Sequence, residues 1–213
     1  MDLYDVSKRI IDVIGAALCI IVFSPLMLLV ALWIKLVSPE GSVFADIPER
    51  VGKDGKDFRF YKFRSMIPNA HQWLLDHPDL YKRYQDNGYK LSQEEDPRLI
   101  PGAKFLRKSS IDEFPQFFNV LRGDMSLVGP RAYFQFEVEE QTKRFPETAA
   151  LMPVVLSVKP GINGVWQTSG RSEITFHQRV RMDADYAKRR SLLYDLLIML
   201  KTPFVVLGAK GAY

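Results

Sequence analysis

From Val13 to Ile34 the chain carries no charge, and an apolar run of about twenty residues is what a helix needs to cross a bilayer. Lys8 and Arg9 precede the run and Lys35 follows it, so the positive-inside rule draws both ends to the same face. Ser24-Pro25 interrupts it near its middle. Proline there removes a hydrogen bond that lipid cannot replace, and Ser24 is placed to cover the freed carbonyl. Residues 1–37 are therefore expected to be a membrane segment kinked at Ser24 and Pro25, with a re-entrant hairpin and a kinked single span both open on these features. A cleaved signal peptide fits poorly, because the run exceeds the usual span of roughly 7–15 residues and no small-residue cleavage site precedes Lys35.

After the turn-rich stretch Ser38-Pro39-Glu40-Gly41 the pattern changes, and residues 38–213 read as one further domain. Asp54-Gly55 followed by the alternating Phe58-Arg59-Phe60-Tyr61-Lys62-Phe63-Arg64 predicts a β-hairpin. Period two would put Phe60, Lys62 and Arg64 on one face, where two cations suit either a phosphate or solvent. The segment from Pro68 to about Asn87 reads as polar helix, broken at His77-Pro78 and ended by Asn87-Gly88. In the helix expected over 172–190, Phe176, Val180, Asp183 and Ala187 share a face, which turns Asp183 inward while Asp185 points outward with Arg181 and Arg189. A carboxylate on an apolar face needs a partner, either a structural arginine or a ligand. Leu192 to Leu207 is apolar but interrupted by Asp195, Lys201 and Pro203; it suits a helix lying at a membrane surface, with burial in the core as the competing placement.

The central stretch runs Ser109-Ser110-Ile111-Asp112-Glu113-Phe114-Pro115-Gln116. Pro115 lacks the N–H of a helix interior, so a helix should start just before it with the acidic pair in its first turn. Ser110 to Glu113 fits a capping box, which would make the pair structural. The chemical alternative is that Asp112 is a nucleophile able to carry an aspartyl phosphate while Glu113 holds a divalent cation. Arg107 and Lys108 lead directly into the pair, as ion-pair partners or as part of an anion site. Two Gly/Pro-rich loops, Gly129-Pro130-Arg131 and the stretch from Lys159-Pro160-Gly161 to Arg171, can bring backbone and guanidinium close to an anion.

Composition narrows the field only in part. The 213 residues suffice for a sizeable core, the net charge of +4 favours acidic partners without choosing among lipid, nucleic acid and phosphorylated substrate, and Cys19 is the single cysteine. A disulfide framework is thereby excluded, and His71, His77 and His177 lack the spacing of a zinc site.

Taken together, these stretches resemble the bacterial sugar transferase family, the monotopic phosphoglycosyl transferases. The resemblance runs from about Ser7 to Lys201. It rests on Lys8-Arg9 and Asp12 ahead of Ser24-Pro25, Tyr61 to Met66, Asp96-Pro97-Arg98, Leu106 to Gln116, Gly123 to Arg131, Lys159 to Arg171, and Asp183 with Tyr186. It implies an α+β fold: a mainly helical compact core with a small β-hairpin, an N-terminal re-entrant membrane helix and interfacial amphipathic helices, at the cytoplasmic face of the bacterial inner membrane. The implied activity is transfer of a sugar 1-phosphate from a UDP-sugar to polyprenyl (undecaprenyl) phosphate, releasing UMP. On that resemblance Asp112 is the nucleophile, Glu113 its partner in Mg²⁺ binding and proton handling, Lys62, Arg107 and Arg131 surround the phosphates, and Asp183 is an acidic residue of the site. Nucleic acid is not an expected partner, and a homo-oligomer is left open. The chain departs from the family's pattern at Ala132, at Asn163 and in the loop Gly41 to Arg50, and it resembles a minimal catalytic unit without a multi-span extension. The competing classes are a phosphatase or nucleotidyl transferase using the same aspartate, a membrane-anchored nucleic-acid-binding module and a structural adaptor.

Overall fold

The computed structural model describes residues 3–86, 91–169 and 174–207. It is mixed helix and sheet with helix predominant. The longest element is α1, Leu3–Val37, which remains helical through Pro25. Pro25 cannot donate to the carbonyl of Ile21, and Ser24 Oγ donates to that carbonyl at 2.9 Å, so the serine replaces the bond the proline removes. Ser24-Pro25 is thus accommodated inside one helix, and the two arms of a hairpin are not separate elements.

The two ends of α1 are fastened to the same body. Near its start, the buried Asp12 accepts from Ser126 Oγ (3.0 Å) and from the Leu127 N–H (2.9 Å), while Arg9 donates to the carbonyls of Val120 and Leu121 at 2.6 and 2.8 Å. Further along, Met27, Val30 and Ile34 pack with Phe63, Ile100, Ala103 and Leu106. Between Ala16 and Met27 no residue of α1 is buried, and Leu18, Ile21, Val22, Leu28, Leu29 and Leu32 are all exposed. So much contiguous apolar surface is costly in water and suits lipid.

The expected hairpin forms but is short. Strands β1 (Arg50–Val51) and β2 (Asp57–Phe58) pair antiparallel around a 3-10 turn at Lys53–Gly55, and β4 (Tyr133–Phe134) adds to the other side of β1. Beyond Phe58 the chain leaves the sheet, so the alternation over 58–64 does not continue as strand. A polar clamp holds it instead: the buried Asn119 accepts from the Tyr61 N–H (2.9 Å) and donates to the Arg59 carbonyl (2.6 Å).

Helices α2 (Ala70–Leu75) and α3 (Pro78–Asp86) are divided at His77-Pro78 as expected; the Asn87-Gly88 stop lies outside the described residues. Helix α4 (Ala103–Lys108) leads through Ser109 and Ser110 into a 3-10 turn, Ile111–Glu113, and then into α5 (Gln116–Arg122). Gly123, at φ 93°, ends α5 in the left-handed conformation that glycine adopts without a Cβ penalty.

A parallel pair follows, β3 (Ser126–Val128) with β5 (Gly161–Asn163). Here the two Gly/Pro loops lie back to back: Gly129 N–H donates to the Asn163 carbonyl and Gly161 N–H to the Pro130 carbonyl, at 2.9 and 2.8 Å. A Cβ on Gly161 would stand 2.0 Å from the Gly129 nitrogen, and one on Gly129 would stand 2.4 Å from the Lys159 carbonyl oxygen. The glycines are required because backbone meets backbone. Between the two strands come α6 (Gln135–Arg144), α7 (Pro146–Ala149) and α8 (Met152–Val155). Helix α9 (Phe176–Arg189) opens on a Thr175–Gln178 capping box and buries Val180, Asp183 and Ala187 as the periodicity predicts, and Asp185 pairs with Arg189 on the outside. Helix α10 (Leu192–Leu207) tolerates Pro203; it buries Asp195 and Ile198 but exposes Leu193, Leu196, Leu197, Leu200 and Phe204.

Candidate active site

Ser110 carries the chain into the acidic pair at φ 58°, a left-handed conformation that costs a non-glycine residue roughly 1–2 kcal/mol. Its side chain makes no cap bond, so the capping box read from Ser110 and Glu113 is not formed. What fixes the pair is backbone: the Asp112 carbonyl accepts from the Phe63 N–H at 2.8 Å and Glu113 N–H donates to the Ser110 carbonyl at 3.1 Å. The first of these bonds joins the acidic turn to the segment that carries Lys62.

Asp112 is 2% exposed. Lys62 Nζ lies 2.9 Å from Asp112 Oδ2 and 3.3 Å from Glu113 Oε1, so one ammonium spans both carboxylates. Burial, reinforced by the Glu113 charge, raises the Asp112 carboxyl above its ordinary range despite the opposing pull of Lys62. Glu113 is less enclosed, and although burial works against its charge, Lys62 and then Arg131 hold it below the usual value. Burial likewise works against the charge on Lys62, but Asp112 and Glu113 outweigh it and leave the ammonium above its ordinary range. The three groups form one cluster in which each sets the ionisation of the others.

Other cations close around it. Arg107 is fixed by Nε to Ser65 Oγ at 3.0 Å and lies within electrostatic reach of Asp112; burial pushes the guanidinium down and Asp112 pushes it back up. Behind it, Asp96 grips Arg98 through two bonds of 2.8 Å, the Arg98 carbonyl accepts from the Ile67 N–H and the Ser65 carbonyl from the Ile100 N–H. The Asp96-Pro97-Arg98 motif therefore serves to position the segment bearing Ser65.

On the other side Arg131 acts electrostatically on Glu113. Its backbone N–H donates to Asp183 Oδ2 at 3.1 Å, and Tyr133 O–H donates to the same oxygen at 2.7 Å. Asp183 is fully buried, and its other oxygen has no hydrogen-bond partner. Burial raises its pKa to about 7 against the Tyr133 and Arg131 bonds. Asp183 thus holds the Arg131 loop in place, and it is Arg131, not Asp183, that faces the acidic pair.

Arg64 is a correction. Its guanidinium is buried and donates to the carbonyls of Ser38 and Ser42 and to Ser38 Oγ, so it ties the end of α1 to the following loop. The strand alternation that grouped it with Lys62 does not apply where the chain has left the sheet. Arg50, which the sequence reading passed over, lies within electrostatic reach of Glu113; its Nη1 donates to the Ala132 carbonyl at 3.0 Å and its guanidinium packs on the Phe134 ring. Burial and the neighbouring Arg131 push its pKa down to about 9, while Glu137 and Glu113 oppose that shift. The signal was its place beside the aromatic run, which a two-residue strand is too short to declare. Arg171 lies outside the described residues.

Among the described residues no group of three or more His, Cys, Asp or Glu side chains converges. The acidic pair can still fit Mg²⁺, which is commonly held by one or two carboxylates with substrate phosphates completing its shell.

A family model described as bacterial sugar transferase matches residues 3–209. The chain belongs to the bacterial sugar transferase family. Within the family it is 39% identical over 209 residues to the undecaprenyl-phosphate galactose phosphotransferase of Salmonella typhimurium, covering 97% of this chain and 41% of that protein. It is 37% identical over 211 residues to the exopolysaccharide production protein ExoY of Rhizobium meliloti, covering 97% and 88%, and 38% identical over 214 residues to the UDP-glucose:undecaprenyl-phosphate glucose-1-phosphate transferase of Caulobacter vibrioides, covering 98% and 73%. The chain therefore spans about two fifths of the Salmonella relative and most of the Rhizobium one.

Proposed function

We propose that this chain transfers a sugar 1-phosphate from a UDP-sugar to undecaprenyl phosphate through a covalent intermediate on Asp112, at the cytoplasmic face of the inner membrane. The observation that carries the reading is the buried Asp112 carboxylate 2.9 Å from Lys62 Nζ, with Arg107, Arg131 and the half-exposed Glu113 around it. Three relatives named for sugar-phosphate transfer to undecaprenyl phosphate, or for polysaccharide production, support the substrate classes.

The chemistry follows from the charges. An Asp112 oxygen attacks the sugar-bearing phosphorus, the bond from that phosphorus to the oxygen bridging the two phosphates breaks, and the bridging oxygen departs with UMP. An oxygen of the lipid phosphate then attacks the same phosphorus, and the Asp112 carboxylate leaves. Both steps bring an anion up to an anion, so the site must neutralise charge where it develops. Lys62 and Arg107 are placed to meet the transferred phosphoryl oxygens, and Arg131 the side nearer Glu113. Mg²⁺, held by Asp112 and Glu113 when bound, would supply Lewis-acid neutralisation of the diphosphate. Storing the phosphosugar on protein separates the visit of a water-soluble donor from that of a lipid acceptor, and this suits a site built beside α1.

The test is UMP release by protein in detergent supplied with undecaprenyl phosphate, Mg²⁺ and a panel of UDP-sugars. Asp112→Asn should abolish turnover and Glu113→Gln should lower it by at least about 10²-fold. Full activity in Asp112→Asn would refute the assignment.

A further inference from the structure

Away from Asp112, two adjoining cavities lie where α1, β3 and α10 meet. The first, of about 280 Å³, is apolar and lies between the exposed faces of α1 and α10, lined by Ile11, Leu192, Leu193, Leu196 and Met199 among others. The second, of about 200 Å³, is cationic, with Lys8, Arg9, Lys53, Lys159 and Arg190 in its wall. Lys8, Asp12 and Val128 line both, so the polar cavity continues into the apolar one.

The cations in this wall outnumber the anions available to them. Lys8 is paired with Asp195 at 2.7 Å and Arg190 with Asp5 at 3.7 Å, while Asp12 is taken up by Ser126 and Leu127. Arg9, Lys53 and Lys159 have no carboxylate partner among the described residues. Arg9 and Lys159 come together over Gly123, each with a terminal nitrogen 3.4–3.5 Å from where a Cβ would stand. Burial, followed by the charge of Arg9, lowers the Lys159 pKa although Asp12 and Asp124 oppose the shift, as expected where like charges are held together and the carboxylates within reach do not balance them. The cost of that crowding disappears once an anion enters.

We propose that the joined cavities bind one anionic phospholipid, its phosphate among Arg9, Lys53 and Lys159 and an acyl chain between α1 and α10. An anion is called for by the uncompensated cations, and an amphiphile by the apolar cavity that opens from the same place on a surface already rich in exposed leucine. A zwitterionic headgroup would bring its own cation against three others. The polyprenyl acceptor is a poor occupant, because its phosphate must reach Asp112. Arg9 rests on the carbonyls of Val120 and Leu121, at the end of α5 remote from the acidic turn that precedes that helix. The bound lipid would brace the junction of α1 and α10 and set the depth of the body at the membrane.

Native mass spectrometry of delipidated full-length protein in neutral detergent tests this, with phosphatidylglycerol, phosphatidylcholine, undecaprenyl phosphate and inorganic phosphate added in separate arms. The expected result is one retained phosphatidylglycerol per chain, displaced neither by undecaprenyl phosphate nor by inorganic phosphate. The double variant Lys53→Gln/Lys159→Gln should bind it about thirtyfold more weakly, the usual effect of removing two lysines from an anionic lipid, and Leu196→Gln should weaken it through the tail cavity alone. An unchanged thermal midpoint in lipid-free detergent shows that the lysine variant is folded. Equal retention of phosphatidylcholine, unaltered retention in the lysine variant, displacement by undecaprenyl phosphate, or displacement by inorganic phosphate would each overturn the proposal.

Discussion

A carboxylate that must act as a nucleophile has to be ionised, and burial works against that state. Lys62 at 2.9 Å opposes the burial that raises the Asp112 carboxyl, and the pH dependence should report it. The acid limb of UMP release is expected above the ordinary aspartate range, because burial and Glu113 raise the Asp112 carboxyl. Lys62→Met removes the one charge that lowers it most, so the limb should move to higher pH and the rate at neutral pH should fall by about 10²-fold or more; a pH–rate profile measures both. Asp183 titrates in the same direction with a different consequence. Its pKa is raised to about 7 in the folded protein, so the folded state holds an extra proton between about pH 4 and 7 and loses stability as pH rises through that window. Asp183→Asn keeps an acceptor for Tyr133 and Arg131 but should lack that loss, which is on the order of 4 kcal/mol for the wild type; urea midpoints at about pH 4 and about pH 7 compare the two. At this scale the inward Asp183 was legible from helical period and the acidic pair from residue type, whereas Lys62 was grouped by a strand alternation that does not hold after Phe58. Arg64 was misplaced because the chain leaves the sheet after Phe58, where the Asn119 clamp and no local periodicity sets its course; Arg50, on a two-residue strand, and Asn119, in α5, were passed over because the groups they meet are far away in sequence.

Elements were legible where the polar pattern is local. The division at His77-Pro78, the Gly123 stop and the inward face of α9 all follow from neighbouring residues, as does the covering by Ser24 of the Ile21 carbonyl that Pro25 leaves free. The Gly/Pro loops showed as unusual but not as partners, because their pairing joins segments far apart in the chain. Their contact leaves no room for a side chain: Gly161→Ala would place a Cβ 2.0 Å from the Gly129 nitrogen. It should destabilise the protein by about 3 kcal/mol, read as a shift in urea midpoint, and should loosen Arg131 along with it. The capping box between Ser110 and Glu113 had the right letters and failed because Ser110 takes a left-handed conformation. That turn reverses the chain between α4 and α5 and brings Arg107 and Asp112 to one site.

The whole molecule is a helical body with one apolar helix laid along it, fastened at both ends. Arg9 holds the start of α1 to α5, and Trp33, near its other end, packs over Gly102. Fastening at both ends leaves the two geometries read from Lys8, Arg9 and Lys35, a segment returning to one face and a kinked span, to be separated by labelling. In closed vesicles of a Cys19→Ser background, single cysteines at Asp5 and Leu36 should both react with an impermeant maleimide from the side that carries the catalytic body; reaction from opposite sides would require a span. Composition had left lipid, nucleic acid and phosphorylated substrate open, and the joining of the apolar helix to the cationic site is what favours the proposed lipid acceptor among them.

All of this converges on one transient bond, between an Asp112 oxygen and the phosphorus of a sugar phosphate. Intact-mass analysis after exposure to a turned-over UDP-sugar and Mg²⁺, with no lipid acceptor present, should show the protein heavier by one sugar phosphate, with fragmentation placing the addition on Asp112 and undecaprenyl phosphate removing it. Turnover with no adduct on that residue under the same conditions would contradict the account.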